Sequence, residues 1–151
     1  MKFIYVLPLG NPDRRLLAGL VPALWDSLRV PVEVREPQVD LAPFYDESRG
    51  QYNSTAILQH LKHLPFPAHR HSPVHHPDDA TLLAVLPHDL FIPILTFVFG
   101  EAELGGTTAV VSYHRLESQR YGLPPDPALL SERFRKEALH ELGHTLGLLH
   151  C

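Results

Sequence analysis

The segment ALHELGHTLGLLHC, residues 138–151, places His140 and His144 four apart, with Glu141 beside the first of them and Gly147 and His150 further on. On a helix, positions i and i+4 share a face, so both imidazoles can reach one ion. His150 follows His144 at a distance that rotates it by about 240° on a continuing helix, so it joins the pair only if the chain turns. Gly147 is placed to make that turn, because glycine takes the left-handed conformation that ends helices. Each fixed letter of H-E-x-x-H-x-x-G-x-x-H thus has a geometric reason. Three neutral imidazoles hold a zinc ion and leave a fourth position for water, whose pKa zinc lowers to about 7. Glu141 projects beside the metal rather than onto it, as the general base that takes the water's proton and delivers it to a leaving amine. The plainer alternative is a surface helix that happens to carry two histidines. The matching offsets of Gly147 and His150 weigh against it.

Such a helix needs a frame. A chain of 151 residues, 44% hydrophobic and 20% charged, is of one-domain size and can bury a core without disulfides. Its formal net charge of -4 disfavours nucleic-acid binding through a basic surface. The one cysteine, Cys151, makes no internal disulfide, and the apolar run at 3–9 stops at Gly10-Asn11-Pro12-Asp13 without a signal-peptide pattern. No apolar run approaches the roughly 20 residues of a membrane span. A cytoplasmic, monomeric protein that binds neither membrane nor nucleic acid is expected.

Along the chain, KFIYVLPLG (2–10) reads as a buried strand. NPDRRLLAGLVPALWDSL (11–28) reads as a helix with Leu16, Leu17, Leu20, Leu24 and Leu28 on one face and a Pro22 placed to bend it. VPVEVRE (30–36) alternates like a half-exposed strand. Strand, helix, strand implies a crossover and a partly parallel sheet. STAILQHLKHL (54–64) is a short helix, followed by a proline-broken loop. TLLAVLPHDLFI (81–92), LTFVFG (95–100) and TTAVVSYH (107–114) are strand-like, the last entered through Gly105-Gly106. PPDPALLSERFRKEALHELGHTLGLLH (124–150) is a helix with Leu130, Phe134, Ala138, Leu142 and Leu146 at every fourth position.

The closing motif resembles that of the metzincin clan of zinc peptidases, and Cys151 directly after His150 narrows the resemblance to the archaemetzincin family. RGQYNSTAILQHL (49–61), DLFIPILTFVFGEAELGG (89–106) and VVSYHRL (110–116) are similar to that family as well. The resemblance implies a single zincin-like α/β domain over 1–151, with a mixed, mostly parallel twisted sheet, flanking helices and an active-site helix carrying HExxH. It implies a zinc metallopeptidase acting on a peptide or protein substrate, with His140, His144 and His150 as catalytic zinc ligands and Glu141 as the base. Cys151 would be the first of four cysteines around a second, structural zinc. The other three cysteines and a methionine turn are expected in a C-terminal part that residues 1–151 lack. In metzincins a substrate peptide pairs with an edge strand above the zinc, and FVFGEAELGGTTAVVS (97–112) is similar to that region.

Other candidates are weaker. His60, His63, His69, His71, His75 and His76 crowd one stretch, but among prolines and without fixed ligand spacing they read as a solvated loop that flanks the cleft. Asp89 is expected to shape a turn, and Arg49 and Tyr52 to anchor a loop. Two rival functions stand beside the peptidase: a metal-dependent endoribonuclease with three histidines at the same offsets, and a zinc-binding module without catalysis. Glu141 and the negative net charge argue against the first. Metal analysis of the 151-residue chain is expected to give about one zinc per chain, and of a version extended through three further cysteines about two.

Overall fold

A computed structural model of the chain describes residues 1–64 and 80–149. The first strand, β1 (Phe3–Pro8), is apolar and buried at every position, as a strand with neighbours on both edges and helices on both faces must be. Its alternate side chains serve two cores. Ile4 and Val6 meet Leu17, Leu20 and Leu24 of α1 (Arg14–Leu28) and Phe134, Ala138 and Leu142 of α3 (Pro127–Thr145). Tyr5 and Leu7 meet Ile57, Leu58 and Leu61 of α2 (Ser54–Lys62). The predicted crossover is present: β1 pairs in parallel with β2 (Val32–Val34) through Ile4 and Val32, and α1 connects them. Asp13 starts α1 by accepting a hydrogen bond from the Arg15 amide, and the helix runs through Pro22.

The main sheet has the order β2-β1-β5-β9-β8, where β5 is Ala80–Leu86, β8 is Gly100–Ala102 and β9 is Thr108–Ser112. Every pairing in it is parallel except the last, β8 against β9. A second sheet orders β3 (Tyr45–Asp46), β4 (Gln51–Asn53), β6 (Leu90–Ile92) and β7 (Leu95–Val98) as β3-β4-β6-β7. The result is the mixed α/β domain with a mostly parallel sheet that the sequence predicted. No helix of the described residues is long and apolar enough to cross a membrane.

Two elements differ from expectation. The stretch 81–92 reads as one strand, but it is two strands in different sheets, because Pro87 cannot donate to the ladder and the chain bends at residues 87 and 88. The last helix stops at Thr145. Leu146, assigned by its spacing to the core stripe, is therefore half exposed.

Asp89 does more than shape the bend. Its carboxylate accepts two hydrogen bonds from Arg115, from Nε at 2.9 Å and Nη2 at 2.8 Å, and one from Gln51 Nε2 at 2.9 Å. It thereby ties the second sheet to the turn that follows β9. Burial pushes the Asp89 carboxyl up, but the hydrogen bonds from Arg115 and Gln51 and the Arg115 charge outweigh burial and hold its pKa below the ordinary value. A carboxyl depressed in the fold adds stability above its unfolded pKa of about 3.9, and that stability is lost as pH falls through the folded value. Asp89→Asn is therefore expected to lower the urea midpoint most near neutral pH, with the gap to the parent closing below about pH 4. A gap that stayed constant down the acid limb would contradict the ion pair's role.

Candidate functional site

Asp126 caps α3 by accepting a hydrogen bond from the Leu129 amide at 3.1 Å. Phe134, Ala138 and Leu142 are buried, so the helix face beside them is fixed, and it carries Glu137, His140, Glu141 and His144 into a cleft of about 480 Å³. Ile92, Phe97, Val98, Phe99, Gly100 and Glu101 form the opposite wall.

The helix ends as its glycine predicts. Gly147 has φ +87, its amide donates to the His144 carbonyl at 2.9 Å, and the Leu148 amide donates to the Gly143 carbonyl at 3.1 Å. This is the Schellman pattern, with a left-handed residue closing the last turn. The turn folds Leu148 back over the helix end, and its carbonyl lies 2.7 Å from His144 Nδ1. That nitrogen therefore carries the hydrogen of the neutral ring, the tautomer in which Nε2 is the nitrogen that can ligate an ion. His144 Nε2 lies 3.1 Å from His140 Nε2. Two imidazole nitrogens each about 2.0–2.1 Å from one tetrahedral zinc stand about 3.3–3.4 Å apart, so the pair fits a shared ion. Among the described residues no three His, Cys, Asp or Glu side chains converge as a metal site. His150 and Cys151 lie outside the described residues, as do His69, His71, His75 and His76.

Glu141 is only 6% exposed and lines the same cleft. Burial, reinforced by the charges of Glu137 and Glu101, pushes its pKa up to about 7. A carboxyl in this state accepts and releases protons near neutral pH. Its approach to the sheet depends on Gly100, where an added Cβ would lie 2.9 Å from Glu141 Cγ and 2.5 Å from the Val110 carbonyl oxygen.

Sequence reasoning missed Glu101 and Glu137. Glu137 was detectable, since it stands one helical turn before Glu141. Glu101 was not, because only the fold sets it beside α2, where Ser54 and Thr55 donate their hydroxyls to its carboxylate. Arg49 anchors a loop as expected: its guanidinium donates to the carbonyls of Leu95 and Pro93, at 3.2 and 3.4 Å. Tyr52 packs between Tyr45 and His88, with ring centroids 5.0 and 5.2 Å away.

Comparison with known proteins agrees with the early resemblance. A family model described as peptidase family M54 matches residues 29–151. An archaemetzincin from Archaeoglobus fulgidus is 43% identical over 150 residues, which are 98% of this chain and 79% of that protein. An archaemetzincin from Methanocaldococcus jannaschii is 42% identical over 116 residues, 76% of this chain but 57% of the relative's length. The crystal structure of a zinc-dependent peptidase from Methanocorpusculum labreanum superimposes with a TM-score of 0.81 at 29% identity, covering 98% of this chain and 83% of that one.

The contact at Gly100 is open to test. Gly100→Ala forces either Glu141 or the β9 backbone to move and is expected to lower stability by about 1–3 kcal/mol in urea denaturation. Gly19→Ala, in α1 where an added methyl meets nothing within 4 Å, is expected to raise it by about 0.5–1 kcal/mol.

Proposed function

This chain belongs to peptidase family M54, the archaemetzincins, a family of zinc metallopeptidases, and on that premise we propose that residues 1–151 are a catalytic domain that hydrolyses peptide bonds in the cleft between α3 and β8. The observation that carries this reading is the pair of imidazoles on α3, their Nε2 atoms 3.1 Å apart beside the buried Glu141. His140 and His144 would hold the ion, with His150 as third donor. When bound, zinc supplies a Lewis acid that brings the pKa of water to about 7 and polarises the substrate carbonyl. Glu141 receives the proton of the attacking water on a carboxylate oxygen and carries it to the nitrogen of the leaving amine. Burial suits it to this work, because a carboxylate shielded from solvent holds a proton more readily than an exposed one.

The edge of β8 supports peptide binding. The Phe99 carbonyl accepts from Ser112 and the Glu103 amide donates to Thr108, so these groups point at β9. By the alternation of an antiparallel ladder, the backbone groups of Gly100 and Ala102 face the other way. A substrate in extended form adds there as one more strand, its scissile carbonyl carried across the face of α3.

Glu141→Gln is expected to keep the metal and to lose hydrolysis by about 10²–10⁴-fold, since the residue handles protons and does not ligate. Zinc content and cleavage of a mixed peptide library, measured on the same preparations, check this. Loss of zinc together with activity would make Glu141 a ligand, and undiminished cleavage would remove it from the mechanism.

A further inference from the structure

A second cavity, of about 510 Å³, opens beside the cleft. It is lined by Gln51, Asp89, Arg115 and Arg49 together with the hairpin residues Leu95 and Thr96. We propose that this cavity receives a carboxylate of the substrate on the C-terminal side of the scissile bond. This assignment rests on the peptidase reading above and gives it a substrate class: short peptides that end, or carry an acidic residue, shortly after the cleaved bond.

Charge is the first argument. Two guanidiniums face the cavity against one carboxylate. Arg115 commits Nε and Nη2 to Asp89, which leaves Nη1 outside that pair. Arg49 is oriented by the neutral carbonyls of Leu95 and Pro93, and the carboxylate its charge acts on, Asp46, is not among the residues that line the cavity. Both groups are also stacked, Arg49 over Phe91 at 4.3 Å and Arg115 over Phe97 at 3.9 Å. Guanidiniums fixed in this way lose less freedom on binding a planar carboxylate than mobile lysines would.

Position and polarity are the second argument. Phe97 carries Arg115 against its ring and also lines the cleft of His140 and His144, so cavity and cleft share that wall. The chain runs from Leu95 beside the cavity to Ala102 at the cleft's edge strand. A peptide laid antiparallel to this segment, the commoner pairing, directs its C-terminal end toward Leu95 and the two arginines. The cleft itself carries Glu101 and Glu137. The excess of guanidinium over carboxylate in the cavity suits a peptide's negative C-terminal end.

The test uses three peptides of one sequence: with a free C-terminus, with a C-terminal amide, and as an amide with Asp in the last position. Their binding to the zinc-supplied Glu141→Gln chain is measured by calorimetry, and their hydrolysis by the parent chain is followed in parallel. The free carboxylate is expected to bind about tenfold or more tightly than the plain amide, with the preference weakening in high salt. Arg49→Gln is expected to remove most of that preference. Ile94→Glu, which adds a negative charge at a rim position that is 85% exposed, is expected to do the same without disturbing the core. Recovery of affinity by the Asp amide assigns the cavity to side-chain carboxylates, and no recovery assigns it to the terminus. Equal binding of the free and amidated peptides, or a preference unchanged in both variants, overturns the proposal. Cleavage without any carboxylate preference would leave the peptidase reading standing and this one fallen. Carboxylate-dependent binding without cleavage would leave the cavity as a carboxylate-binding site but remove the peptidase reading, and with it the assignment of that carboxylate to a substrate.

Discussion

The packing of α3 against the main sheet is the constraint on which the site depends. Phe134, Ala138 and Leu142 sit at 0–1% exposure in the core shared with β1, β5 and β9. Burying a side chain the size of Phe or Leu contributes about 1.5–3 kcal/mol, so the helix cannot rotate about its axis without giving up several such terms. With the axis fixed, the neighbouring face has one direction to point. Glu137, His140, Glu141 and His144 are delivered to the cleft by apolar side chains that take no part in the chemistry.

The same packing is what makes Glu141 unusual. A helix pressed this closely to the sheet carries one carboxylate under the edge strand, and Gly100 leaves the room for it. The domain accepts the cost of a desolvated carboxyl at that point. At Asp89 the opposite solution is used, where Arg115 and Gln51 compensate a carboxylate of similar burial. One buried acid is neutralised by partners and serves the framework. The other is left with like charges nearby, and it is the one proposed to move the proton.

How much of this was legible in the sequence follows from the range of the interactions involved. The helix of the motif, its end at Gly147 and the shared face of His140 and His144 are local: they depend on spacings within two turns, and the structure repeats them. The βαβ start is nearly local, since β1, α1 and β2 are consecutive. The break of 81–92 into two strands was not legible, because the run is apolar throughout and only Pro87 marks the bend. The pairing of Asp89 with Arg115, and of Glu101 with Ser54 and Thr55, joins residues 26 and 46 to 47 positions apart. No periodicity reports such a contact. The third histidine, equally local by its spacing, falls outside the described residues.

The amide of Gly105, at the tip of the β8–β9 hairpin, donates to the carbonyl of His144 at 2.9 Å, the same carbonyl that receives Gly147. The edge strand and the end of α3 are thus latched by a shared acceptor. Fraying of either one removes one of that carbonyl's two donors and weakens what holds the other, so the opening of the hairpin tip is coupled to the opening of the helix terminus.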